Sequence, residues 1–214
     1  LFRSTTHNGS VIVSEDHSLL DCQKKKITPQ DCKIGTKLLH WNPPVSEIND
    51  LLAGIDIEDI PNDIAFVKGF FFRDGGWLKH SFAIHNTSIL LLQKCIEIFN
   101  SQYSDVKLKI LDTSKSSGVY KAVAIGNVAK LVDEWRDQFY SSRKYKKVPN
   151  VIITGSRCTK LAFMQGYYAA GGDKKFKRIS NKGQIGSQGL YLLLLDLGYD
   201  VSTFIRDDNL QIYT

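Results

Sequence analysis

The sequence predicts an α+β fold that contains two similar halves. A segment with the sequence AFVKGFFFRDGG at 65–76 recurs as AFMQGYYAAGGD at 162–173, with the alanine, phenylalanine, glycine and aromatic positions in register. Segments with the alternation of strands and segments with the period of helices follow each copy in a similar order, which is typical of α+β proteins. A chain of 214 residues is long enough for a large core or for two small subdomains.

The part of the chain before the repeat has a separate pattern. Residues 10–20 alternate apolar and polar side chains, which predicts a strand that runs into a turn, and residues 33–40 are a candidate for another strand. The sequence NPP at 42–44 interrupts regular structure, and residues 45–60 predict a connector with a short acidic helix. We therefore divide the chain into a small β segment at 1–41, a linker at 42–61, a first half with its connector at 62–150 and a second half at 151–214.

Each copy of the repeat predicts an apolar helix that ends at a glycine, a residue that suits a left-handed position after a helix. Inside each copy a small residue lies four positions before a glycine, as Ala65 and Gly69 in the first copy and as Ala162 and Gly166 in the second. Glycine inside a helix costs about 1 kcal/mol relative to alanine, whereas a face of small residues lets two helices approach closely. We expect the two repeat helices to pack against each other along this face.

The segments that follow the two copies are similar in kind and order. After the first copy the pattern predicts a strand at 77–85, a helix at 87–100 and strands at 106–112 and 118–126. After the second copy it predicts a basic strand at 174–181, a helix at 187–198 and a hairpin formed by 199–206 and 210–214. A helix at 127–140 and a basic stretch at 143–147 connect the halves.

The composition is mildly basic. Lysine and arginine outnumber aspartate and glutamate by 28 to 22, which gives a formal net charge of +6 and favours a polyanionic partner without deciding it. The apolar stretches are too short to cross a membrane, and the first residues do not resemble a signal peptide. The missing initiator methionine indicates a fragment or a processed product. We expect an intracellular protein that is not secreted, with free thiols at Cys22, Cys32, Cys95 and Cys158.

Asp74 lies at the carboxyl end of the first repeat helix. The helix dipole is negative there and disfavours a carboxylate by roughly 0.3–1 kcal/mol, so the position favours a bound cation. Acids at the ends of two helices that lie side by side would converge on one metal cluster. Oxygen ligands of this kind suit Mg²⁺, which can stabilise the attacking and leaving oxygens of a phosphodiester. Two ordinary core helices from a duplicated domain are the alternative interpretation.

The two repeat segments resemble the paired motifs of LAGLIDADG homing endonucleases, in which each motif helix ends in a metal-binding acid. The whole chain is similar to inteins inserted in viral B-family DNA polymerases. The resemblance covers the chain essentially from end to end, although each short stretch is weak on its own. Further stretches that carry it are SEDHSLL at 14–20, ITPQD at 27–31, KIGT at 33–36, KKVP at 146–149 and NKGQIGSQGLY at 181–191.

This resemblance implies a fold with the two motif helices at its centre and a saddle of β-strands over double-stranded DNA, preceded at 1–41 by a small β fragment of the intein splicing domain. It implies that Asp74 is the first catalytic and metal-binding acid, that Lys147 is the active-site lysine and that Mg²⁺ or Mn²⁺ is the cofactor. It also implies cleavage at the insertion site in a DNA polymerase gene. Because one chain supplies both halves, we expect a monomer.

The second acid position departs from the family pattern, because Gly171 stands where a catalytic, metal-binding aspartate is expected. Glycine has no side chain that can bind a metal, and Asp173 lies beyond the expected end of the helix. Loss of a group that only supports a metal ligand costs about 10–100-fold, and loss of the ligand itself should cost at least as much. We expect an endonuclease with impaired or nicking-only activity, or alternatively a DNA-binding module without chemistry.

Basic side chains form two clusters that we interpret as phosphate contacts to DNA rather than as an ordinary solvated surface. One cluster follows the first half, and the other lies on the first strand after the second motif. A lysine on the matching strand of the first half is a further candidate. The predicted DNA-binding residues are Lys79, Arg143, Lys144, Lys146, Lys174, Lys175, Lys177, Arg178 and Lys182.

The beginning of the chain bears on protein splicing. Ser14 and His17 fit the intein pattern of a hydroxyl residue and a histidine that activate the first splice junction, with serine in place of threonine. The chain does not begin with a nucleophilic residue or end with a His-Asn pair, so we do not expect it to splice. A fragment of a splicing element is the third interpretation. We interpret the sequence LAGID at 52–56 as linker, because it lacks a closing acid and glycine.

Overall fold

A computed structural model describes residues 2–6, 9–39, 59–171, 178–181, 183–206 and 209–213 of the chain. The predicted boundary at 42–44, nearly all of the predicted acidic helix and the LAGID sequence lie outside these residues. The four cysteines are free, as predicted. Within the described ranges, no helix is long and apolar enough to cross a membrane.

Two small antiparallel hairpins form the first part of the chain. The predicted strand at 10–20 is confirmed in its first part, which runs into a turn. The predicted strand at 33–40 is wrong, because Gly35, with a φ of +93°, turns the backbone out of the extended conformation. The two hairpins consist of β1 (Phe2–Thr6) with β2 (Gly9–Val13) and of β3 (Leu19–Leu20) with β4 (Lys26–Ile27).

Helices and strands alternate in the two halves, and the predicted helices are confirmed with ends shifted by a few residues. The first half consists of α1 (Asn62–Asp74), β5 (Gly75–Trp77), β6 (Phe82–Asn86), α2 (Ile89–Gln102), β7 (Val106–Thr113), the short α3 (Ser114–Ser117), β8 (Val119–Gly126) and α4 (Ala129–Phe139). The second half consists of the short α5 (Asn150–Ile153), α6 (Arg157–Gly171), β9 (Arg178–Ser180), α7 (Gln184–Asp196), β10 (Ser202–Arg206) and β11 (Asn209–Tyr213).

The two halves have the same sheet topology. The strands of the first sheet are ordered β5-β6-β8-β7, and those of the second are ordered β10-β11-β9. Both sheets are antiparallel, and in each the last strand along the chain lies in the middle, between the strands before and after one helix. The position that corresponds to β5 in the second half falls on 172–174, outside the described residues. The predicted duplication is therefore confirmed.

The predicted single strand at 77–85 is wrong. This segment belongs to a hairpin, in which Trp77 of β5 pairs with Phe82 of β6 and the Leu78 amide donates to the Ser81 carbonyl oxygen at 2.8 Å. Side-chain alternation continues across such a short turn, so the pattern alone does not distinguish the two arrangements. Lys79 consequently lies at the exposed tip of a turn and not within a strand.

Close packing of α1 and α6 forms the centre of the molecule, as the small residues predicted. A methyl group built on Gly69 would lie 1.9 Å from the carbonyl oxygen of Phe163, and one built on Gly166 would lie 1.9 Å from the carbonyl oxygen of Phe66. These two contacts exchange equivalent positions of the repeat, so the helices cross about a pseudo-two-fold axis. No side chain larger than hydrogen fits at either glycine without separating the backbones.

The glycine that ends α1 has a different function from the predicted one. Gly75 has a φ of −85° and a ψ of 153°, which is extended and not left-handed. A methyl group at this position would overlap the ring and the carbonyl oxygen of Phe71. Glycine is therefore required by the close approach of β5 to the helix that it follows, and the left-handed conformation is not involved.

The two central helices differ in what covers their outer faces. The rings of Trp135 and Phe139, on α4, lie 5.1 and 4.8 Å from the ring of Phe71 on α1. At the position of α6 that corresponds to Phe71, Tyr168 lines a cavity of about 480 Å³ between α6 and α7. The pseudo-symmetry thus applies to the interface of the two helices and not to their surroundings.

Lys68 is a buried lysine on the covered face of α1, with only 3% of its surface exposed. Its ammonium donates to the Gln138 side-chain oxygen and lies 4.9 Å from the ring centre of Trp135. Burial lowers the pKa of Lys68 to about 8, and the charge of Glu134 opposes this shift. The folded state therefore bears a cost whenever this side chain is charged.

Replacing Lys68 by methionine should raise the stability of the protein at pH 7 by about 1–3 kcal/mol, since the burial cost exceeds the lost hydrogen bond and ring contact. Between pH 8 and the ordinary lysine pKa of 10.5, the folded protein releases this proton before the unfolded chain does, so the wild-type protein gains stability relative to the variant. Denaturant titrations of both proteins at pH 7 and pH 10 measure this difference. The exposed Lys130→Met serves as the control, and a difference that is the same at both pH values would contradict the assignment.

Candidate active site

The carboxyl ends of α1 and α6 lie next to each other. Asp74 is the last residue of α1, and Gly171 is the last residue of α6. The Asn86 side-chain amide, at the end of β6, donates to Asp74 Oδ2 at 2.9 Å and to the carbonyl oxygen of Ala170 at 2.8 Å. One buried amide therefore joins the carboxylate of the first helix to the carbonyl end of the second.

Asp74 is half-buried, and its surroundings act on its charge in opposite directions. Burial raises the pKa of Asp74 above its ordinary value, whereas the hydrogen bond from Asn86 and the charges of Arg73, Lys146 and His85 lower it. The shift from burial is the larger, so a cation at this position would be stabilising. The ring nitrogen Nδ1 of His85 also lies 3.2 Å from the Asp74 carbonyl oxygen.

The side chain of Lys146 lies against the carboxyl end of α1. Its ammonium donates to the carbonyl oxygens of Phe72 and Gly75, both at 2.8 Å, and to that of Phe71 at 3.3 Å. Burial lowers the pKa of Lys146 to about 8, and the charge of Asp74 opposes this shift. A positive charge here compensates the negative end of the helix dipole and stabilises the carboxylate beside it.

These contacts bear on two predictions for the basic stretch after α4. Lys146 was predicted to contact DNA; its ammonium donates to three carbonyl oxygens inside the protein, and its contact with DNA stays a prediction. Lys147, the predicted active-site lysine, is half-buried and donates its backbone amide to the Phe139 carbonyl oxygen at 2.8 Å. Its catalytic role stays a prediction, while Lys146 is the lysine that acts on Asp74.

Arg73 crosses from α1 to the end of α6. Its Nη1 donates to the Tyr167 hydroxyl at 2.6 Å, and its Nη2 donates to the Gly171 carbonyl oxygen at 2.9 Å. A methyl group on Gly171 would lie 3.6 Å from Arg73 Nε, an ordinary contact distance. The backbone therefore leaves room for a side chain at the second acid position, and a guanidinium already lies beside it.

The oxygen atoms at this site suit Mg²⁺, which needs few protein ligands. They do not suit a metal that protein side chains bind without other ligands. In the part of the chain that the structure describes, no group of three or more His, Cys, Asp or Glu side chains could hold a metal ion. Asp74 supplies one carboxylate. Mg²⁺ commonly keeps several waters and is held by one or two carboxylates together with substrate phosphates.

Comparison with known proteins supports the family resemblance. No protein-family model matches the sequence. The chain is 39% identical over 227 residues to the DNA polymerase of Acanthamoeba polyphaga mimivirus, and the match covers the whole chain and 12% of the polymerase. The chain thus corresponds to a small part of that longer protein.

The fold is similar to solved structures of the homing endonuclease I-DmoI. One structure, from a study of mesophilic variants of I-DmoI, has a TM-score of 0.54 at 18% sequence identity and covers 71% of this chain and 87% of that one. A second structure, of I-DmoI with DNA and Mn, has the same TM-score and identity and covers 71% and 88%. This chain has the LAGLIDADG homing-endonuclease fold. The predicted fold class and the predicted resemblance to LAGLIDADG homing endonucleases are confirmed.

Four of the remaining predicted DNA-binding residues belong to the part of the chain that the structure describes, where they lie in turns or at the start of a strand. Lys79, Arg143, Lys144 and Arg178 are exposed, whereas Lys174, Lys175, Lys177 and Lys182 lie outside the described residues, as does Asp173. Their contacts with DNA stay predictions.

A further basic surface lies on the outer face of the first LAGLIDADG sheet. His85 pairs with Lys121 on β8, and Lys121 pairs with Leu111 on β7. One row along the sheet, Val123 pairs with Lys109, which is exposed. Directly paired residues, and residues two apart on one strand, lie on the same face of a sheet, so these basic residues share the face opposite to the buried Ile84 and Ala122. The sequence pattern does not reveal this surface, because only the strand register brings these residues together.

Ser14 and His17, the predicted splicing pair, are both exposed and lie in the turn that follows β2. The His17 amide donates to the Ser14 carbonyl oxygen at 3.3 Å. The side chains lie on one turn, at a distance from the LAGLIDADG helices along the chain. Their role in splicing stays a prediction.

Proposed function

We propose that the chain is the site-specific DNA endonuclease of an intein in a viral B-family DNA polymerase, and that it hydrolyses phosphodiester bonds in duplex DNA with Mg²⁺ or Mn²⁺. The observation that carries the proposal is the half-buried Asp74 carboxylate, which Asn86 fixes against the adjoining end of the second motif helix. The match to a viral DNA polymerase and the likeness to a homing endonuclease solved with DNA and Mn support it.

The protein would bind DNA as a monomer, because both halves of the LAGLIDADG fold are present in one chain. The outer face of the first sheet would present Lys109, Lys121 and His85 to the phosphate backbone. In the second half, the exposed Arg178 begins β9, the strand that corresponds to β6. Such contacts position a protein on DNA without reading its sequence.

Asp74 would hold the cation, with DNA phosphate and water as the other ligands. When bound there, a divalent cation would supply the chemistry that activates water and stabilises charge on the phosphate oxygens. The hydrogen bond from Asn86 to Oδ2 would orient the carboxylate that holds the cation. Lys146 holds the end of α1 in place through its carbonyl oxygens, so that the carboxylate is oriented before DNA binds.

Gly171 should limit this activity. Only one of the two motif helices delivers a carboxylate, so the two strands of the duplex meet different chemistry. We therefore expect slow cleavage, with one strand cut in preference to the other. The second candidate function is DNA binding without cleavage, which the absence of a side chain at 171 favours.

DNA affinity should fall about 10³-fold or more between 50 and 200 mM salt if six or more phosphates are contacted. Fluorescence anisotropy with a duplex that carries the uninterrupted polymerase-gene site measures this dependence. Replacing Lys109 and Lys121 together by alanine should reduce the slope of log affinity against log salt by about 2, whereas the exposed Lys115 and Lys130, changed in the same way, should leave it unaltered.

Cleavage of a supercoiled plasmid with the same site, in Mg²⁺ and in Mn²⁺, separates the two candidate functions. Accumulation of nicked circles ahead of linear DNA supports the impaired endonuclease, and uncut plasmid at saturating protein supports the binding module. An affinity that does not respond to salt would contradict both.

A further inference from the structure

Arg73 breaks the internal symmetry at the position where the two halves should be most alike. It precedes the acid position of the first repeat, and the corresponding residue of the second repeat is Ala170. The two copies therefore differ at two neighbouring positions. The first copy has an arginine followed by the acid, and the second has an alanine followed by a glycine. The two differences are in contact, because Arg73 donates to the carbonyl oxygen of Gly171.

The guanidinium of Arg73 is held in place by the second helix. Its bonds to the Tyr167 hydroxyl and to the Gly171 carbonyl oxygen fix both ends of the planar group, and the guanidinium carbon lies 5.0 Å from the ring centre of Tyr167. Tyr167 is fully buried, so the residues packed around it hold the accepting side chain. A side chain held at several points loses little further freedom when it binds a ligand.

Each motif helix thus has a cation at its carbonyl end. Lys146 serves α1, and Arg73 serves α6 through the carbonyl oxygen of Gly171. In an arrangement with two acids, a metal ion would supply the positive charge at the end of the second helix. Here Arg73 supplies this positive charge. Its Nε lies 3.6 Å from the position that the Cβ atom of a side chain at 171 would occupy.

We propose that Arg73 is a fixed cation that replaces the second metal position, and that it binds a backbone phosphate of the DNA beside the Asp74 site. This inference rests on the proposed function. A guanidinium has five N–H donors in a planar array that suits phosphate. The centre then consists of one carboxylate for a cation and one guanidinium for a phosphate, instead of two carboxylates.

One consequence is that an aspartate introduced at 171 would pair with Arg73 and would not bind metal. We therefore expect Gly171→Asp alone to show little Ca²⁺-dependent rise in melting temperature. The double variant Arg73→Ala with Gly171→Asp has an acid at the end of both helices and no guanidinium beside them, and its melting temperature should rise by roughly 5–10 °C in saturating Ca²⁺. Differential scanning calorimetry of the wild-type protein, both single variants and the double variant, with and without Ca²⁺, measures these shifts.

The phosphate contact is tested in EDTA, where no metal contributes. Arg73→Ala should weaken binding of the insertion-site duplex about 10-fold, as expected for the loss of a charged hydrogen-bonding group. Arg157→Ala is the matched control, because this exposed arginine begins the same helix that Arg73 closes and should leave affinity unchanged.

An equally large Ca²⁺ shift in Gly171→Asp and in the double variant would overturn the inference while leaving the proposed metal site intact. Unchanged affinity of Arg73→Ala in EDTA would overturn the phosphate contact. Failure of the proposed function is distinguishable, because then the wild-type protein would not bind the duplex and no variant, the double variant included, would respond to Ca²⁺.

Discussion

Replacing Asp74 by asparagine should lower the rate of plasmid nicking or cleavage at least 100-fold. Loss of groups that merely support a metal ligand costs about 10–100-fold, and Asp74 is the proposed ligand itself. Asparagine keeps the shape of the side chain but has no charge to hold a cation. Gel assays of supercoiled plasmid in Mg²⁺ and in Mn²⁺ measure the effect.

The same variant should stay folded. Burial raises the pKa of Asp74, so the folded protein bears a cost for the charged form at neutral pH, and asparagine removes that cost. We expect an unchanged or higher melting temperature and an unchanged or higher affinity for DNA in EDTA, because the carboxylate repels phosphate. Asp133→Asn, an exposed change on α4, is the control. Cleavage that survives in Asp74→Asn would exclude Asp74 as the metal ligand.

The largest loss of stability should follow from alanine at Gly69 or Gly166. In each case the added methyl group meets a backbone carbonyl oxygen of the other helix, and a carbonyl oxygen cannot rotate away as a flexible side chain can. Overpacking costs about 1–3 kcal/mol and occasionally more, and a clash between two backbones belongs at the upper end. For a chain of this size we expect the melting temperature to fall by roughly 6–12 °C.

Gly171→Ala is the matched control for these substitutions. It makes the same chemical change at the end of one of the same helices, but its methyl group would meet Arg73 Nε at 3.6 Å. We expect no loss of stability, because alanine is favoured over glycine in helices. Thermal unfolding of the three variants followed by circular dichroism tests the packing, and a loss at Gly171 equal to that at Gly69 would contradict it.

The sequence by itself determined the architecture, because the features that specify it are local and repeat. The two copies of the motif predict two helices with small residues on one face, and the structure confirms that Gly69 and Gly166 bring the backbones together. The position of Asp74 at a helix end follows from the same local pattern. Gly171 is likewise visible in the sequence as the missing acid, because the first copy provides the comparison.

The turn between two paired strands could not be predicted from the sequence pattern. The alternation at 77–85 is compatible with a single strand or with a hairpin, since both place successive side chains on opposite faces. Pairing of Trp77 with Phe82 decided between them. The extended conformation of Gly75 was also hidden, because a glycine after a helix can serve either a left-handed turn or a close approach.

The tertiary structure alone decided which polar residues surround Asp74. Asn86 reaches a carbonyl oxygen 84 positions away, Lys146 reaches one 74 positions away, and Arg73 reaches the Tyr167 hydroxyl 94 positions away. Helical and strand periods specify which face of an element is buried, but they carry no information on which distant element lies opposite. Lys146, and not the predicted Lys147, therefore binds the carbonyl oxygens at the end of α1, and Arg73 of α1 binds the end of α6. Tertiary packing, and not spacing along the chain, sets these distances.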